Sequence, residues 1–453
     1  MMFNYQLSHI NWPSAKACLL TALFCCPVGG RAQTAREWSL QECVSHALAH
    51  NLSIRQQEDN VRMQQIQLST ARNSRLPNLS GSVGESFSFG RALTSDNTYA
   101  NRNTQNTNLS LGTSVPLITG GQLVHEVGVR RLGLEAAIAD SERMRENVTL
   151  QVISSYLECA YQKDMAEVAA NQLELSAMQV RRMELLFQNQ KASEADLAQI
   201  RSAHAADELS LTQQRNSLML ALLALSQLLE LEHPEGFDVA RPVGEAAADV
   251  LLPSPDEVYA QALGIKPQIA AEQLRLQSAR KSVLLARSQL YPSLYFNAGL
   301  GSSYYRTSGW QTTGFGRQLR DNFNQYFGFS LSVPIFNRLA TRNNIRAARV
   351  QVHSQEIQLQ QVQQALYKEI QQAYYNALAS QRQCQSSQAA LEAAQTAFEL
   401  MQRKYENGKA NATEFQEAKT ALLRAQSDEA RARYTFLFRR KILHYYQTST
   451  VEG

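Results

Sequence analysis

Over long stretches this chain lacks the two residues that interrupt helices. Proline is absent between Pro116 and Pro234 and again after Pro334, and no glycine falls between Gly133 and Gly236. Those stretches are free to run as very long helices. Cysteine is scarce as well. Of six, Cys18, Cys25 and Cys26 sit near the N-terminus, and Cys43, Cys159 and Cys384 form an odd set without metal-ligand spacing, which excludes a disulfide framework. Charge of one sign is missing too: 44 basic and 40 acidic residues leave +4 with no basic block, so nucleic acid is not a partner the composition suggests. There is no Walker loop, GxSxG, HExxH or paired CxxC, and nothing argues for an enzyme or a cofactor.

What is present comes twice. Ser114-Val115-Pro116-Leu117-Ile118 returns as Ser332-Val333-Pro334-Ile335-Phe336, and Phe187-Gln188-Asn189-Gln190-Lys191-Ala192 as Tyr405-Glu406-Asn407-Gly408-Lys409-Ala410, both at an offset of 218 residues. Upstream, Arg75-Leu76-Pro77 pairs with Leu290-Tyr291-Pro292 at an offset of 215. The expected organisation is a first repeat over 33–232, a Pro- and Gly-punctuated linker over 233–255, a second repeat over 256–447 and a tail over 448–453. Ahead of these, Lys16, an apolar run from Ala17 to Val28 and the small residues around Ala32 read as a cleaved export signal over 1–32. The run is too short to span a bilayer, and Leu23-Phe24 lacks the small residue a lipidated Cys25 or Cys26 would want.

A continuous helix from about Gly121 to Gln188 would reach about 100 Å, so the molecule is elongated. Leu173, Val180, Met183 and Phe187 recur as Leu391, Phe398, Met401 and Tyr405, the spacing of a coiled-coil seam. Gly408 is placed to end a helix in the left-handed conformation, and Ser193 with Asp196 and Asn411 with Glu414 read as N-caps of return helices. Each copy thus holds a long antiparallel hairpin. Before the hairpins the period changes to two. Leu79, Val83 and Phe87 alternate with serines, and Leu109, Leu111 and Val115 alternate with Ser110, Gly112 and Ser114. Leu294, Phe296 and Leu300, then Phe327, Phe329 and Leu331, repeat this, with Tyr99 to Gln105 and Thr307 to Arg320 as the intervening outer loops. Each run is long enough to cross a bilayer as a tilted strand. Four strands cannot close, so membrane insertion forces oligomerisation; three chains would supply 12 strands and six hairpins around one axis. The fold class expected is mainly α, with duplicated hairpins building a trimeric α-barrel and four strands per chain entering a membrane β-barrel.

The duplication, the Val-Pro pairs at 115–116 and 333–334, and Lys404-Tyr405-Glu406-Asn407-Gly408 ahead of Glu414-Phe415-Gln416-Glu417-Ala418 together resemble the TolC-type outer-membrane factor family. The resemblance implies a homotrimer in outer-membrane lipid with a periplasmic α-barrel. It implies an exit duct of a tripartite efflux or type I secretion system, working with a periplasmic adaptor and an inner-membrane transporter. Carried over by position, Glu414 and Glu417 look like the entrance carboxylate ring and Tyr405 to Asp196 like the closing link, while Ala410 stands where relatives carry a second, latching arginine. Asn189, Gln190, Lys191 and Ala192, with Asn407, Gly408, Lys409 and Ala410, are the tips expected to meet the adaptor.

Other readings stand beside these. Asp196 and Glu414 could serve only as capping residues, whereas Glu417 shares a helix face with Glu414 and has no capping duty. Glu42, His46 and His50 have a spacing that could bind a metal, but read better as a solvated helix face. The alternative function is a soluble periplasmic coiled-coil adaptor or scaffold, against which the membrane-length strand runs in both copies argue.

Overall fold

The computed structural model describes residues 37–448, apart from 94–96, 102, 233 and 243–250. The signal expected over 1–32, part of the linker and nearly all of the tail lie outside the described residues. The first copy runs β1 (Glu37–Trp38), α1 (Leu40–His50), α2 (Leu52–Asn73), β2 (Asn78–Ser88), β3 (Arg91–Leu93), β4 (Tyr99–Asn101), β5 (Thr104–Thr119), α3 (Gln122–Gln188) and α4 (Glu194–Leu228). After β6 (Asp238–Val239) come α5 (Pro255–Ile265), α6 (Pro267–Ser288), β7 (Ser293–Thr307), α7 (Phe315–Asp321), β8 (Asn324–Ser332), α8 (Ala340–Glu406) and α9 (Ala412–Thr448). The copies match in length: α1 and α5 have 11 residues, α2 and α6 have 22, and α3 and α8 have 67. Local signals repeat too, since Ser39 with Glu42 and Ser254 with Glu257 form equivalent capping boxes.

The four long strands form one antiparallel sheet in the order β2-β5-β7-β8. Its register puts Val83 beside Leu109, Leu111 beside Leu300 and Phe296 beside Phe329, so one face is a continuous apolar surface. That face is bare: Val83 is 77% and Phe327 80% exposed. The opposite face is rich in Ser and Gly, with Ser82 and Ser110 hydroxyls 2.7 Å apart across the ladder. A Cβ at Gly299 would meet the Tyr326 ring at 2.7 Å, so glycine is needed there to let that ring cross the neighbouring strand. Pro116 lies in the central strand β5, where its missing N–H coincides with a register shift; in the edge strand β8 the chain leaves the ladder before Val333-Pro334.

The strand ends and outer loops differ from expectation. β5 and β7 run well past their apolar stretches, β5 into Thr, Gln and Asn and β7 into Ser, Tyr, Arg and Thr, because backbone pairing continues where apolar side chains are no longer needed. Tyr99 to Gln105 is therefore largely strand, with β3 and β4 pairing as a small hairpin, and Thr307 to Arg320 contains most of α7. The upper edge of β7 lacks a partner strand, and Gln318 and Asn322 from α7 and its end cover the backbone of Tyr305 and Ser303.

Below the sheet, α2, α3, α6 and α8 stand side by side in the order of the strands they continue. The core is concentrated where the short helices clamp the long ones. α1 and β6 pack on Val152, Tyr156 and Cys159 of α3 and on Leu225 of α4; α5 packs on Leu366 and Ile370 of α8 and Leu443 of α9. Cys43, Cys159 and Cys384 are all free and buried. The expected linker is more than a tether. β6 pairs in parallel with β1, Lys163 bonds Glu37 and Asp238 at 2.8 Å each, and Tyr156 donates to the Ala240 carbonyl at 2.6 Å.

Candidate functional site

The serine-rich strand face lies at one end of the long helices and the hairpin tips at the other. The tips are built identically. In α3, Lys191 N–H donates to the Leu186 carbonyl at 2.8 Å; in α8, Lys409 N–H donates to Lys404 at 2.8 Å, closing both helices with the same motif. The left-handed residue is Gly408 (φ +69°) in one copy and Gln190 (φ +58°) in the other. Asn189, Gln190, Lys191, Asn407, Gly408 and Lys409 are exposed, with Ala192 and Ala410 half-buried behind them. Met183, Leu197 and Ile200 form a small core under the first tip, and Ala412 of the second hairpin packs against it.

The acids expected at the entrance divide into two kinds. Asp196 accepts from the Ser193 hydroxyl at 2.7 Å and its N–H at 3.1 Å, which holds its carboxyl below the ordinary range. Glu414 accepts from Asn411 N–H at 3.0 Å in the equivalent box. Capping is therefore a real duty of both. Glu417 is exposed, and among the described residues it has no hydrogen bond or ion pair. Tyr405 stacks on Phe415 at 4.8 Å. Burial pushes its phenol up, Arg182 opposes that rise and Asp196 adds to it. Tyr405 and Asp196 are thus neighbours, yet no hydrogen bond joins them within one chain.

The contact that does join the two hairpins is one the sequence did not reveal. Arg182 of α3 lays its guanidinium 5.3 Å from the centre of the Tyr405 ring and donates to the Glu406 carbonyl at the end of α8, at 2.8 Å. Its counterpart at the 218-residue offset is Leu400, so the duplication gave no hint. Farther from the tips, Lys419 of α9 is 1% exposed and pairs with Asp207 of α4 at 2.7 Å, a second tie between hairpins. At mid-height, Asp164 of α3 accepts from Arg433 and Tyr434 of α9 at 2.7 Å each. Glu42 is engaged by its capping box, and His46 and His50 stack on each other at 4.2 Å, an arrangement unlike a ligand set.

A duplicated strand-pair and hairpin, with an apolar sheet face, a polar one and paired helical tips, is the geometry of a tube. The description "Outer membrane efflux protein" matches residues 43–230 and 258–440, one segment in each copy. The chain belongs to the outer membrane efflux protein family. It is an outer-membrane exit duct, with the strands in the membrane and the helices extending into the periplasm. It is 26% identical to Protein CyaE of Bordetella pertussis over 421 residues, covering 87% of this chain and 79% of that one. Its fold is that of solved outer-membrane channels. The Campylobacter jejuni CmeC channel superposes with a TM-score of 0.75 at 18% identity, covering 90% of this chain and 85% of that one. The open state of the Neisseria gonorrhoeae MtrE channel gives 0.71 at 19%, covering 90% and 88%. The outer membrane efflux proteins are transport ducts, and its channels are homotrimers that work with adaptors and inner-membrane transporters.

Proposed function

We propose that three copies of this chain close a 12-stranded barrel over a tube of six hairpins, and that this trimer is the outer end of a tripartite export assembly. The observation that carries the reading is the sheet itself: β2 and β8 are open edges beside an apolar face, and an unpaired backbone group in lipid costs several kcal/mol. Joining β8 of one chain to β2 of the next removes both of these edges. Residues 1–32 act as the export signal, 33–232 and 256–447 as the two repeats, 233–255 as the connection and 448–453 as the tail. The exposed tips at 189–192 and 407–410 receive the periplasmic adaptor, which leads to an inner-membrane transporter.

In this reading Glu414 and Glu417 form a carboxylate ring at the periplasmic entrance, and Tyr405 with Asp196 and Arg182 holds the hairpins inward. A hydrogen bond or cation–π contact of this kind contributes about 1 to 3 kcal/mol, and threefold repetition keeps the mouth narrow. Cross-linking in detergent should stop at three chains, and a monodisperse monomer would refute the assembly. In planar bilayers Tyr405→Phe with Arg182→Leu should raise single-channel conductance. Glu414→Gln with Glu417→Gln should instead lower cation selectivity. Unchanged selectivity would leave Glu414 with its capping duty alone.

A further inference from the structure

The net charge of the whole chain hides a strong local imbalance. Residues 63–75, 122–135, 276–288 and 338–351, the parts of α2, α3, α6 and α8 next to the barrel, carry eleven Arg or Lys against two Glu. The whole chain carries only +4, so the remainder is net negative and the excess of positive charge is gathered in one band.

Within the band lies a groove of about 560 Å³ between α3 and α6, lined by Gly128, Arg131, Leu132, Glu135, Arg280 and Lys281 among others. Gly128 leaves the floor open, with the Lys281 side chain 3.5 Å from where a Cβ would stand. Arg131 pairs with Glu135 and Arg280 with Glu356, both at 2.9 Å and both at exposed positions. Such pairs are weak and leave guanidinium donors available. Lys281 has no hydrogen bond or ion pair among the described residues.

Helix periodicity says which way the groove faces. Tyr156, which holds the β1–β6 pair, is 25 residues beyond Arg131, about seven turns of α3, and so shares its face. Ile269, which packs under α5, is 11 residues from Arg280, about three turns of α6. Both faces are therefore on the side that carries the clamping helices, which is the outside of the proposed tube, since these helices would otherwise fill its lumen. The groove also lies between the two middle helices of the α2-α3-α6-α8 layer, away from the edges that a neighbouring chain would cover.

Depth supplies the occupant. Val124, two turns above Arg131 on the same face of α3, is 62% exposed, and Leu290 and Tyr291 at the end of α6 are also exposed. These apolar groups mark the lower limit of the hydrocarbon. Arg131 sits about 10 Å further down the helix. A headgroup layer roughly 5 to 7 Å thick, with the Arg131 side chain leaning up towards the start of α3, spans that distance, while Arg280 and Lys281, on a helix that ends at the membrane, lean away from it and close the groove from below.

We propose that the groove between α3 and α6 seats the anionic headgroup of a phospholipid of the periplasmic leaflet, one per chain, with Arg131, Arg280 and Lys281 as its phosphate ligands. Guanidinium forks fit phosphate oxygens in bidentate fashion, and the ammonium of Lys281 adds a point charge across the floor. The lipid would fix the height of the duct in the membrane at three points around the tube.

Native mass spectrometry of the full-length protein, released from detergent in the presence of phosphatidylglycerol or phosphatidylethanolamine, tests this. The wild type should retain about one phosphatidylglycerol per chain in preference to phosphatidylethanolamine. The variant Arg131→Gln, Arg280→Gln, Lys281→Gln should lose that preference by about tenfold or more. Lys281→Gln alone should weaken it several-fold, and serves if the triple variant fails to assemble. Arg131→Lys with Arg280→Lys should keep most of it. Equal retention by the triple variant would overturn the proposal. So would an equal loss in Arg346→Gln with Arg349→Gln, which would make the band a diffuse charge with no seat, or displacement of the lipid by millimolar inorganic phosphate, which would make the groove a free-anion site.

Discussion

The two copies are nearly superposable in plan and different in their joints. At the junction of the short helices the first copy has Asn51, which caps α2 through Ser53 and Ile54 and reaches the Leu228 carbonyl near the end of α4 at 3.4 Å. The second copy has Lys266 there, 215 residues on, buried between Glu146 at 3.2 Å and the Tyr445 carbonyl at 3.1 Å, with the Tyr445 ring 4.4 Å away. Both side chains tie a leading helix to the end of a return helix. One does it with a neutral amide, the other with a buried charge. Duplication preserved the place of the tie and let its chemistry diverge.

The largest expected effect separates these two joints. Lys266→Ala leaves the Glu146 carboxylate facing a void and should cost about 3 to 5 kcal/mol, whereas Asn51→Ala loses a helix cap, about 0.5 to 2 kcal/mol. Urea unfolding of the solubilised protein would measure both, and equal losses would show that Lys266 is no more than a cap. Lys266→Met should recover part of the loss, because an apolar group of similar volume avoids the desolvation penalty.

A second pair sharpens the comparison at mid-height. Tyr156 is buried and bonded to the β6 end, while its counterpart Tyr374 is half-buried and among the described residues has no such strand pair to hold. Tyr156→Phe should cost about 1 to 3 kcal/mol, and Tyr374→Phe about 0.5 kcal/mol or less. Burial pushes the Tyr156 phenol up from 10.0 to about 12. Above pH 10 the unfolded chain gives up this proton while the folded one keeps it, so stability falls from pH 10 to 12. Tyr156→Phe should flatten part of that fall. Only part, because Tyr446 in the second copy is likewise raised to about 12. An unchanged alkaline slope would remove Tyr156 from its cause.

The tips should respond less than either Lys266 or Tyr156. No atom lies within 4 Å of a Cβ added to Gly408, so Gly408→Ala meets only backbone strain, about 1 kcal/mol, and Gln190→Gly should gain a comparable amount. Gly408→Val, more strained, should abolish export while the barrel still assembles. Normal export by that variant would take the second tip out of the docking surface.

What could be read from the sequence was what is local. The long helices follow from missing Pro and Gly, the tips from Gly408 and the capping residues, and the barrel strands from period two. The joints could not be read, because each depends on a partner chosen by packing across a great length of chain. Arg182 meets Glu406, Lys419 meets Asp207 and Lys163 meets Asp238, and no spacing connects such residues. β1 and β6 are two residues each, too short to show any period, and α7 is a single short helix within a loop-like composition. At the entrance, the sequence could name Tyr405 and Asp196 but not the arginine that lies on the tyrosine ring.

The equal length of α3 and α8 has a consequence for the space outside the membrane. Two struts of 67 residues, each about 100 Å long and rooted in the same sheet, bring both hairpin tips to the same end of the molecule, where Arg182 of one meets Glu406 of the other. The lower end of the duct is then built by the two hairpins of a chain together. A heptad added to one hairpin alone would shift its tip about 10 Å past its neighbour's, while the same heptad added to both would only lower that end. The duplication thus acts as a gauge. It keeps the two tips in register with each other, and lets the reach of the helices be changed only in matched increments.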